Sequence, residues 1–302
     1  MSNKKLSQLG EFGFIEFIAK WTGKNKKVIK GIGDDAAVLP YSKDKYLLLT
    51  TDMLIEGVHF VRKDGAAAIG RKALACNISD IAAMGGFPKW AVVSAGLPAG
   101  LKVDFAAGLY KGILKLAKRY DVAIVGGDTN ASAKIIINIA LLGEVSKKNL
   151  VLRSGARKND MIFVTGPLGR SLKTKKHLHF TPRLAESQYL VKNFRPTSMI
   201  DVSDGLAGDL RYILDQSRAG AFIYEKFIPK AKGAGLQEAL SDGEDFELLF
   251  TLSPKEANRF IGTPKDFHFF YIGRIVDKKE GFVLIDKNGR AKDVFLKGFR
   301  HF

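Results

Sequence analysis

The sequence predicts an α/β (α+β) fold made of two domains. Its 302 residues exceed what a single hydrophobic core usually organises. Hydrophobic residues make up 46% of the chain, enough for large cores. Strand-like and helix-like stretches alternate in both halves, which favours sandwich-like domains of sheets and helices. We place the domains at residues 1–148 and 149–302, with the boundary inside the polar and basic segment 146–158.

In the first half, the clearest element is a helix over about residues 66–84. Apolar residues from Ile69 to Ile81 recur at helical spacing, and Gly85-Gly86 ends the pattern. The other predicted elements are a helix at 11–21, a strand entering Gly31, a strand at 46–51 with an extended continuation at 57–60, a strand at 90–97, a helix at 103–120, a strand at 122–125 running into a glycine-rich turn at 126–130, and a strand at 135–145.

The second half repeats this mixture of strands and helices. A strand at 161–165 is followed by a basic stretch at 171–179 and a helix from about 182 to 193. Residues 199–205 are expected to form a strand that ends in an acidic turn, and a helix at 206–217 follows it. Further strands are predicted at 246–252, 269–275 and 282–285.

The composition restricts the class of protein. Cys76 is the single cysteine, which excludes an intrachain disulfide and a multi-cysteine zinc site. No apolar run approaches the ~18 residues that a membrane span needs. The N-terminal residues lack the apolar stretch of a signal peptide. We therefore expect a cytoplasmic protein that does not associate with membranes.

The net charge of +17 suggests a polyanionic partner when it is considered alone. However, lysines and arginines are spread from Lys4 to Arg300, without a helix-turn-helix, zinc-finger or RNA-recognition pattern. We expect a generally basic surface and no specific nucleic-acid binding. A basic polyanion-binding protein, whose acids only form turns, is the alternative from another functional class.

The stretch from Gly31 to Leu39 carries the first candidate chemistry. Its Gly31-x-Gly33-x-x-Ala36 pattern could be mistaken for a dinucleotide fingerprint, but the two carboxylates after Gly33 would repel a pyrophosphate. Carboxylates suit a phosphate site only when cations lie between them and the ligand. Acids in similar positions recur along the chain, at Asp34, Asp35, Asp52, Asp80, Asp128, Asp201 and Asp204.

This number of hard oxygen ligands indicates magnesium, whereas the five histidines show no spacing for zinc. The segment starting at Asp201 is not an EF-hand, because its twelfth position is Tyr212. For each acid considered singly, a turn or helix cap is the alternative. The chain has no Walker A sequence, so metal ions and backbone N–H groups at Gly126-Gly127 and after Gly205 would bind phosphate.

Seven motifs follow one another along the chain: Gly31-Ile-Gly-Asp-Asp-Ala-Ala-Val38, Thr50-Thr-Asp-Met-Leu-Ile-Glu-Gly-Val-His-Phe60, Lys72-Ala-Leu-Ala-Cys-Asn-Ile-Ser-Asp-Ile-Ala-Ala-Met-Gly85, Gly126-Gly-Asp-Thr129, Val164-Thr-Gly-Pro-Leu-Gly169, Asp201-Val-Ser-Asp-Gly205 and Gly243-Glu-Asp-Phe-Glu-Leu248. In this order they closely resemble the thiamine-monophosphate kinase family, which belongs to the superfamily typified by aminoimidazole ribonucleotide synthetase. The resemblance covers the chain from Gly31 to Phe302.

The resemblance implies two mixed-sheet α/β domains of the aminoimidazole ribonucleotide synthetase-like type and a homodimer formed through the N-terminal domains. It implies ATP-dependent phosphorylation of thiamine monophosphate to thiamine diphosphate by direct transfer, with several Mg²⁺ ions. The absence of an obvious activated nucleophile agrees with direct transfer. ATP and a phosphomonoester bring roughly six negative charges together, which requires several divalent cations.

The resemblance also implies roles for individual residues. Asp35, Asp52, Asp128 and Asp204 correspond to catalytic positions. The magnesium ligands would be Asp35, Thr50, Thr51, Asp52, Asp80, Asp128, Asp201 and Asp204. ATP would be bound by Tyr110, Gly127, Asp128, Arg153 and Ser203, and the thiamine phosphate by His59, Glu244 and Phe299.

Two departures from the family pattern stand out. Asp242-Gly243 replaces the usual Gly-Gly before Glu244, and the short basic stretch 171–179 replaces a longer helical segment. Within the superfamily, a selenophosphate synthetase would need a reactive residue in the N-terminal glycine-rich segment, whereas Cys76 lies in mid-helix. An aminoimidazole ribonucleotide synthetase-like enzyme is the alternative within the superfamily.

Overall fold

The structure is a computed structural model that describes residues 5–23, 25–263 and 266–294. Its helices are α1 (Leu6–Thr22), α2 (Ala66–Ala83), α3 (Val103–Arg119), α4 (Ser171–Thr174), α5 (Lys176–His179), α6 (Leu184–Asn193), α7 (Leu206–Ser217), α8 (Leu236–Ser241) and α9 (Pro254–Gly262). Its strands are β1 (Ala37–Pro40), β2 (Lys45–Ile55), β3 (Phe87–Leu97), β4 (Ala123–Ala131), β5 (Ile136–Ser146), β6 (Met161–Val164), β7 (Pro196–Asp201), β8 (Ala219–Tyr224), β9 (Leu248–Leu252), β10 (Phe270–Asp277), β11 (Phe282–Ile285) and β12 (Ala291–Asp293).

The first domain is a five-stranded sheet in the order β1-β2-β5-β3-β4, with α2 and α3 on one face. Neighbouring strands are antiparallel except β3 and β4, which are parallel. The two helices approach each other closely at Gly112, where a Cβ atom would lie 2.0 Å from the carbonyl oxygen of Ala67. Any side chain there would force the helices apart.

We call the side of this sheet that faces α2 its inner face and the opposite side its outer face. The inner face carries buried residues such as Leu48 and Ile139. The outer face carries large apolar side chains that are exposed in the single chain: Leu49, Met53, Trp90 and Val92. This alternation follows from the two-residue period of a β-strand.

Two edges of the first sheet have no strand beside them in the described part of the chain. One is β4, whose residues are almost all exposed. The other is the second half of β2, residues 50–55, because β1 pairs only with residues 46–49. Unpaired edges of this kind can bind another strand.

The second domain is a seven-stranded sheet in the order β12-β11-β8-β10-β6-β9-β7, in which only β11 and β8 pair in parallel. Both faces are buried. Ile162 and Ile200 join a core formed with α7 and α8. Phe163 and Phe250 face the other way and join a core with α6 and α9. The near-continuous hydrophobic strands reflect this burial on both sides.

Helix α2 connects the two domains. Thirteen of its eighteen residues are buried, and it contacts β2 and β5 of the first domain and α5, α6 and β7 of the second. The predicted fold class is therefore confirmed. The predicted boundary at residue 148 falls between β5, which ends at Ser146, and β6, which begins at Met161; the division itself stays a prediction.

Several local predictions were wrong. The expected turn at 126–130 lies inside β4, since an edge strand tolerates glycine. The strand expected before Gly31 is only an isolated bridge between Lys30 and Val38, and residues 57–60 form mainly a turn. The elements without a sequence prediction are β1, α4, α5, β8, α8, α9 and β12. In the described residues, no helix is both long and apolar enough to cross a membrane.

Candidate active site

Three carboxylates meet where the two domains touch. Oxygen atoms of Asp35, Asp80 and Asp201 all lie within 4.8 Å of one another. Asp35 precedes β1, Asp80 is near the end of α2, and Asp201 ends β7 of the second domain. We call these three residues the acidic cluster. It depends on both domains, since Asp201 reaches it from the second sheet.

Hydroxyl groups orient two members of the acidic cluster. Thr50 donates to Asp80 Oδ2 at 2.5 Å, and Ser79 donates to Asp201 Oδ2 at 2.6 Å. Asp35 Oδ2 is buried and has no hydrogen-bond partner among the described residues. A buried carboxylate oxygen without a partner is costly. Hard oxygen atoms so close together fit a divalent cation such as Mg²⁺.

Burial and mutual repulsion raise the pKa values of these acids. Burial, followed by repulsion from Asp35, raises the pKa of Asp201 to about 8. Burial also raises the pKa of Asp52 to about 6, although Lys72 opposes the shift. The pKa of Asp80 is well above its ordinary value because of burial and then repulsion from Asp52. The site therefore needs added positive charge to hold all of these acids ionised at neutral pH.

Arg153 supplies part of that charge. Its Nη2 and Nε atoms donate to Asp35 Oδ1 at 2.6 and 3.2 Å, and its backbone N–H donates to Asp34 Oδ1 at 3.1 Å. Its guanidinium carbon also lies 5.0 Å from the centre of the Tyr212 ring. Arg153 is thus held beside the acidic cluster by a carboxylate and an aromatic face.

The loop between β7 and α7 carries Ser203 and Asp204. The Ser203 carbonyl oxygen accepts a bond of 2.7 Å from the backbone N–H of Glu244. The Asp204 backbone N–H donates to Asp209 Oδ2 at 3.1 Å. Asp209 is 1% exposed, and its pKa is well above normal because of burial and then repulsion from Asp204. Sequence reasoning missed Asp209, because an acid in the first turn of a helix has an ordinary role there.

Thr51 and Asp128 are on the outer face, away from the acidic cluster. The Thr51 hydroxyl donates to Asn138 Oδ1 at 3.1 Å, and Asn138 shares its register row with Ser94 and Asp128. Within one chain, Asp128 is three strand positions from β2, or about 14 Å at the usual strand spacing. One chain therefore does not bring Asp128 to Asp52.

Gly127 is on β4 in the same register row as Val93. A Cβ atom at Gly127 would lie 1.9 Å from the Val93 carbonyl oxygen, so any side chain is excluded there. Tyr110 lies on α3, packed against the first core and partly buried. Phe299, predicted to contact the thiamine phosphate, is outside the described residues.

His59 and Glu244 come from different domains and meet through Lys72. The His59 ring accepts the Ile55 backbone N–H at Nδ1, at 3.0 Å, so a neutral ring carries its proton on Nε2. Lys72 Nζ donates to Glu244 Oε1 at 2.5 Å and to the His59 carbonyl oxygen at 2.8 Å. Sequence reasoning missed the role of Lys72, although its position within an apolar helix is a signal for a buried charge.

The two departures from the family pattern lie beside Glu244. Asp242 Oδ2 accepts the Arg170 backbone N–H at 2.9 Å, so its carboxylate fixes a turn. Lys176, from the basic stretch 171–179, pairs with the buried Glu247 at 2.8 Å, as does Arg183 at 2.7 Å. Part of the basic stretch therefore neutralises acids of the loop that carries Glu244.

Comparisons with known proteins agree with this architecture. Residues 33–145 match the model for the AIR synthase related protein, N-terminal domain, and residues 132–286 match that for the C-terminal domain. The thiamine-monophosphate kinase of Buchnera aphidicola subsp. Acyrthosiphon pisum is 36% identical over 95% of this chain and 98% of its own. The thiamine-monophosphate kinase of Aquifex aeolicus is 36% identical over 99% of this chain and 100% of its own.

A solved structure of AaThiL complexed with AMPPCP and TMP superposes on the protein with a TM-score of 0.87. The two are 34% identical, and the match covers 100% of each chain. Together, the matches to both AIR synthase related domains, the identities over nearly the full chain and the shared fold show that this chain belongs to the thiamine-monophosphate kinase family.

Proposed function

We propose that this protein transfers the γ-phosphoryl group of ATP to thiamine monophosphate and so forms thiamine diphosphate. The observation that carries the proposal is the convergence of Asp35, Asp80 and Asp201 from two domains. Three clustered acids, two of them buried and one with an oxygen that has no hydrogen-bond partner, suit the cations that accompany phosphate groups. Family membership supplies the substrates, since a relative was solved with AMPPCP and TMP.

Magnesium is part of the proposal. Asp35, Thr50, Asp52, Asp80 and Asp201 would hold Mg²⁺, and Asp204 would add a ligand from the β7–α7 loop. When bound, the ions neutralise phosphate oxygens and align the reacting groups. The orphaned Asp35 oxygen and the raised pKa of Asp201 both support a cation at this position.

The protein's own groups would orient the nucleotide. Arg153 donates from Nε and Nη2 to Asp35, and its remaining Nη donors beside the acidic cluster would bind phosphate oxygens. Ser203, the backbone at Gly127 and Tyr110 would provide further contacts to ATP. Transfer is direct in this proposal: the single thiol, Cys76, is buried in α2 and the acids serve as metal ligands.

The thiamine phosphate would bind beside His59 and Glu244. Thiamine carries a cationic thiazolium ring, and the partly exposed Glu244 carboxylate provides the opposite charge. Phe299 is proposed to add an aromatic face for the same ring. His59 would contribute its Nε2–H as a hydrogen-bond donor.

We also propose that the protein is a homodimer joined through its first sheet. The β4 edge and the free half of β2 have unpaired backbone groups, and the outer face between them is apolar. Pairing β4 of one copy with residues 50–55 of another would satisfy both edges and cover this face. It would also bring Asp128 of one copy beside Thr51 of the other, on the outer face of the β2 segment whose inner face carries Asp52.

The first experiment is a coupled assay of the purified protein with ATP, magnesium and thiamine monophosphate. We expect thiamine diphosphate to form only when magnesium is present. The Asp52→Asn variant should lose the activity while it keeps its fold. A folded protein that binds ATP without forming product would contradict the substrate assignment, and aminoimidazole precursors would then be tested. Salt-sensitive RNA or DNA binding without any ATP-dependent activity would favour a polyanion-binding role.

The proposed location is the cytoplasm. The single cysteine, buried in α2, requires no oxidising compartment. Specific nucleic-acid binding is still not expected.

A further inference from the structure

Lys72 is a charged side chain in the interior of the protein. It is 0% exposed, the same as its apolar neighbour Leu74. Lysine is almost never buried completely unless its charge has a partner. The partner here is Glu244, which is 172 residues away in sequence and belongs to the other domain. The pair therefore crosses the junction between the domains.

The ammonium group of Lys72 contacts the two residues that are proposed to face the thiamine phosphate. It binds the Glu244 side chain at 2.5 Å and the backbone carbonyl of His59 at 2.8 Å. His59 belongs to the turn after β2, and Glu244 belongs to the loop before β9. A single buried donor thus sets the distance between these two segments.

The Glu244 loop needs such an anchor, because its backbone is strained. Glu244 and Phe246 have positive φ angles of 53° and 50°, a conformation that costs energy for residues other than glycine. Their backbone N–H groups donate to the carbonyl oxygens of Ser203 and Val202, at 2.7 and 2.8 Å. Side-chain contacts such as that to Lys72 add to these bonds in keeping the loop in this conformation.

We propose that Lys72 is a positioning residue for the recognition of a cationic, phosphorylated ligand, an inference that rests on the proposed function. Because the ammonium is fully buried, it acts through Glu244 and His59 and does not touch the ligand. It holds the Glu244 carboxylate at the place where a cationic ring binds. It also fixes the backbone of the His59 segment, the second proposed contact of the thiamine phosphate.

A purely electrostatic role for Lys72 leads to the opposite expectation. The ammonium cancels part of the negative charge of Glu244, so removing it would then make the site more attractive to a cationic ring. The positioning role requires weaker binding instead. A loss of Lys72 leaves the Glu244 carboxylate partly buried and unpaired, and the strained loop can then move. The sign of the change in affinity therefore separates the two roles.

The test compares Lys72→Met, Glu244→Gln and the double variant with the wild-type protein. In Lys72→Met, we expect the KM for thiamine monophosphate to rise about 10-fold to 100-fold, as for groups displaced by about 1 Å. The KM for ATP should rise much less, since Lys72 acts on the proposed ATP and metal site only through its charge near Asp52. In the Glu244→Gln background, the same lysine substitution should change the KM for thiamine monophosphate much less, because its main partner is already altered.

Lys176→Met is the matched control. Lys176 also pairs with acids of the same loop, Asp245 and Glu247, but it does not contact Glu244 or His59. An equal rise in the KM for thiamine monophosphate in this control would overturn the proposal, because general loosening of the loop would then explain the effect. Tighter binding in Lys72→Met, or fully additive effects in the double variant, would also overturn it.

The experiment distinguishes a wrong proposed function from a wrong role for Lys72. A wrong proposed function would appear as a wild-type protein that neither binds nor phosphorylates thiamine monophosphate, measured by calorimetry and by product formation. In that case, the positioning role of Lys72 is tested by hydrogen exchange. The backbone amides of Glu244 and Phe246 should exchange at least about tenfold faster in Lys72→Met than in the wild-type protein. Unchanged exchange would overturn it. If Lys72→Met does not fold, the double variant, which leaves no buried unpaired carboxylate, replaces it in this measurement.

Discussion

On β2, Thr50 and Asp52 point to the inner face of the first sheet, whereas Thr51 and Met53 point to the outer face. The inner side chains reach α2 and the acidic cluster, which the second domain completes through Asp201. The outer side chains belong to an apolar sheet surface that extends to the exposed edge strand β4. Because side chains alternate along β2, one strand contributes to the contact between domains with one face and to the proposed contact between copies of the chain with the other.

The largest expected effect is on the inner face. Asp80→Asn should lower kcat by about 1,000-fold, since an ion that stabilises phosphoryl transfer contributes several kcal/mol. The measurement is a magnesium titration of the initial rate. Asp44→Asn removes an exposed carboxylate and should leave the rate unchanged. A fully active Asp80→Asn variant would show that phosphoryl transfer does not require the acidic cluster.

A mixed dimer tests whether the two faces meet across copies. Asp52→Asn and Asp128→Asn should each be inactive as homodimers. A heterodimer with one copy of each, purified through two different affinity tags, should regain about half of the wild-type activity, because one of its two sites is intact. If both residues act in the same chain, each site keeps one altered residue and the heterodimer is as inactive as its parents.

On the outer face, Val92→Lys should disrupt the proposed dimer. A charge placed in an apolar interface has no partner, and we expect the activity to fall about tenfold at low protein concentration. Light scattering would measure the change in mass. Leu114→Lys is the matched control, since Leu114 is also exposed but lies on α3. A dimeric Val92→Lys variant would show that the outer face is not the interface.

The smallest expected effect is on stability without metal. Burial and repulsion raise the folded-state pKa values of Asp52 to about 6 and of Asp201 to about 8. For acids with raised pKa values, the folded state binds more protons than the unfolded state, so stability falls as the pH rises through these values. The melting temperature in a chelator should therefore decrease from pH 5 to about pH 8. Magnesium should remove most of the decrease, and Asp201→Asn should reduce it.

Much of this architecture could be predicted from the sequence. The apolar pattern of α2 and the acidic turn before α7 gave correct elements, and the ordered motifs identified the family. Strand β8 was missed because no turn residue marks its start: Arg218 adopts the left-handed conformation, with φ 53°, that usually indicates glycine. Gly126-Gly127 suggested a turn, but both residues lie in an edge strand.

The candidate site could be predicted only in part. Asp35, Asp80 and Asp201 could be predicted as candidate metal ligands, but the position of Thr51 and Asp128 on the other face of the sheet could not, because it depends on strand register. The position of Lys72 within an apolar helix is a signal for a buried charge, but its partner Glu244 could not be predicted, since the two residues are 172 apart in the chain. The local sequence pattern around a residue does not reveal contacts of this kind with residues far away in the chain.

The burial of Cys76 has a practical consequence for following the protein in solution. The thiol is 5% exposed, and burial, followed by repulsion from Asp52, raises its pKa well above the ordinary value. Alkylating reagents attack the thiolate, so the folded protein should react slowly. The labelling rate of this thiol, the only one in the chain, therefore reports how often α2 separates from its surroundings. No probe has to be introduced for this measurement.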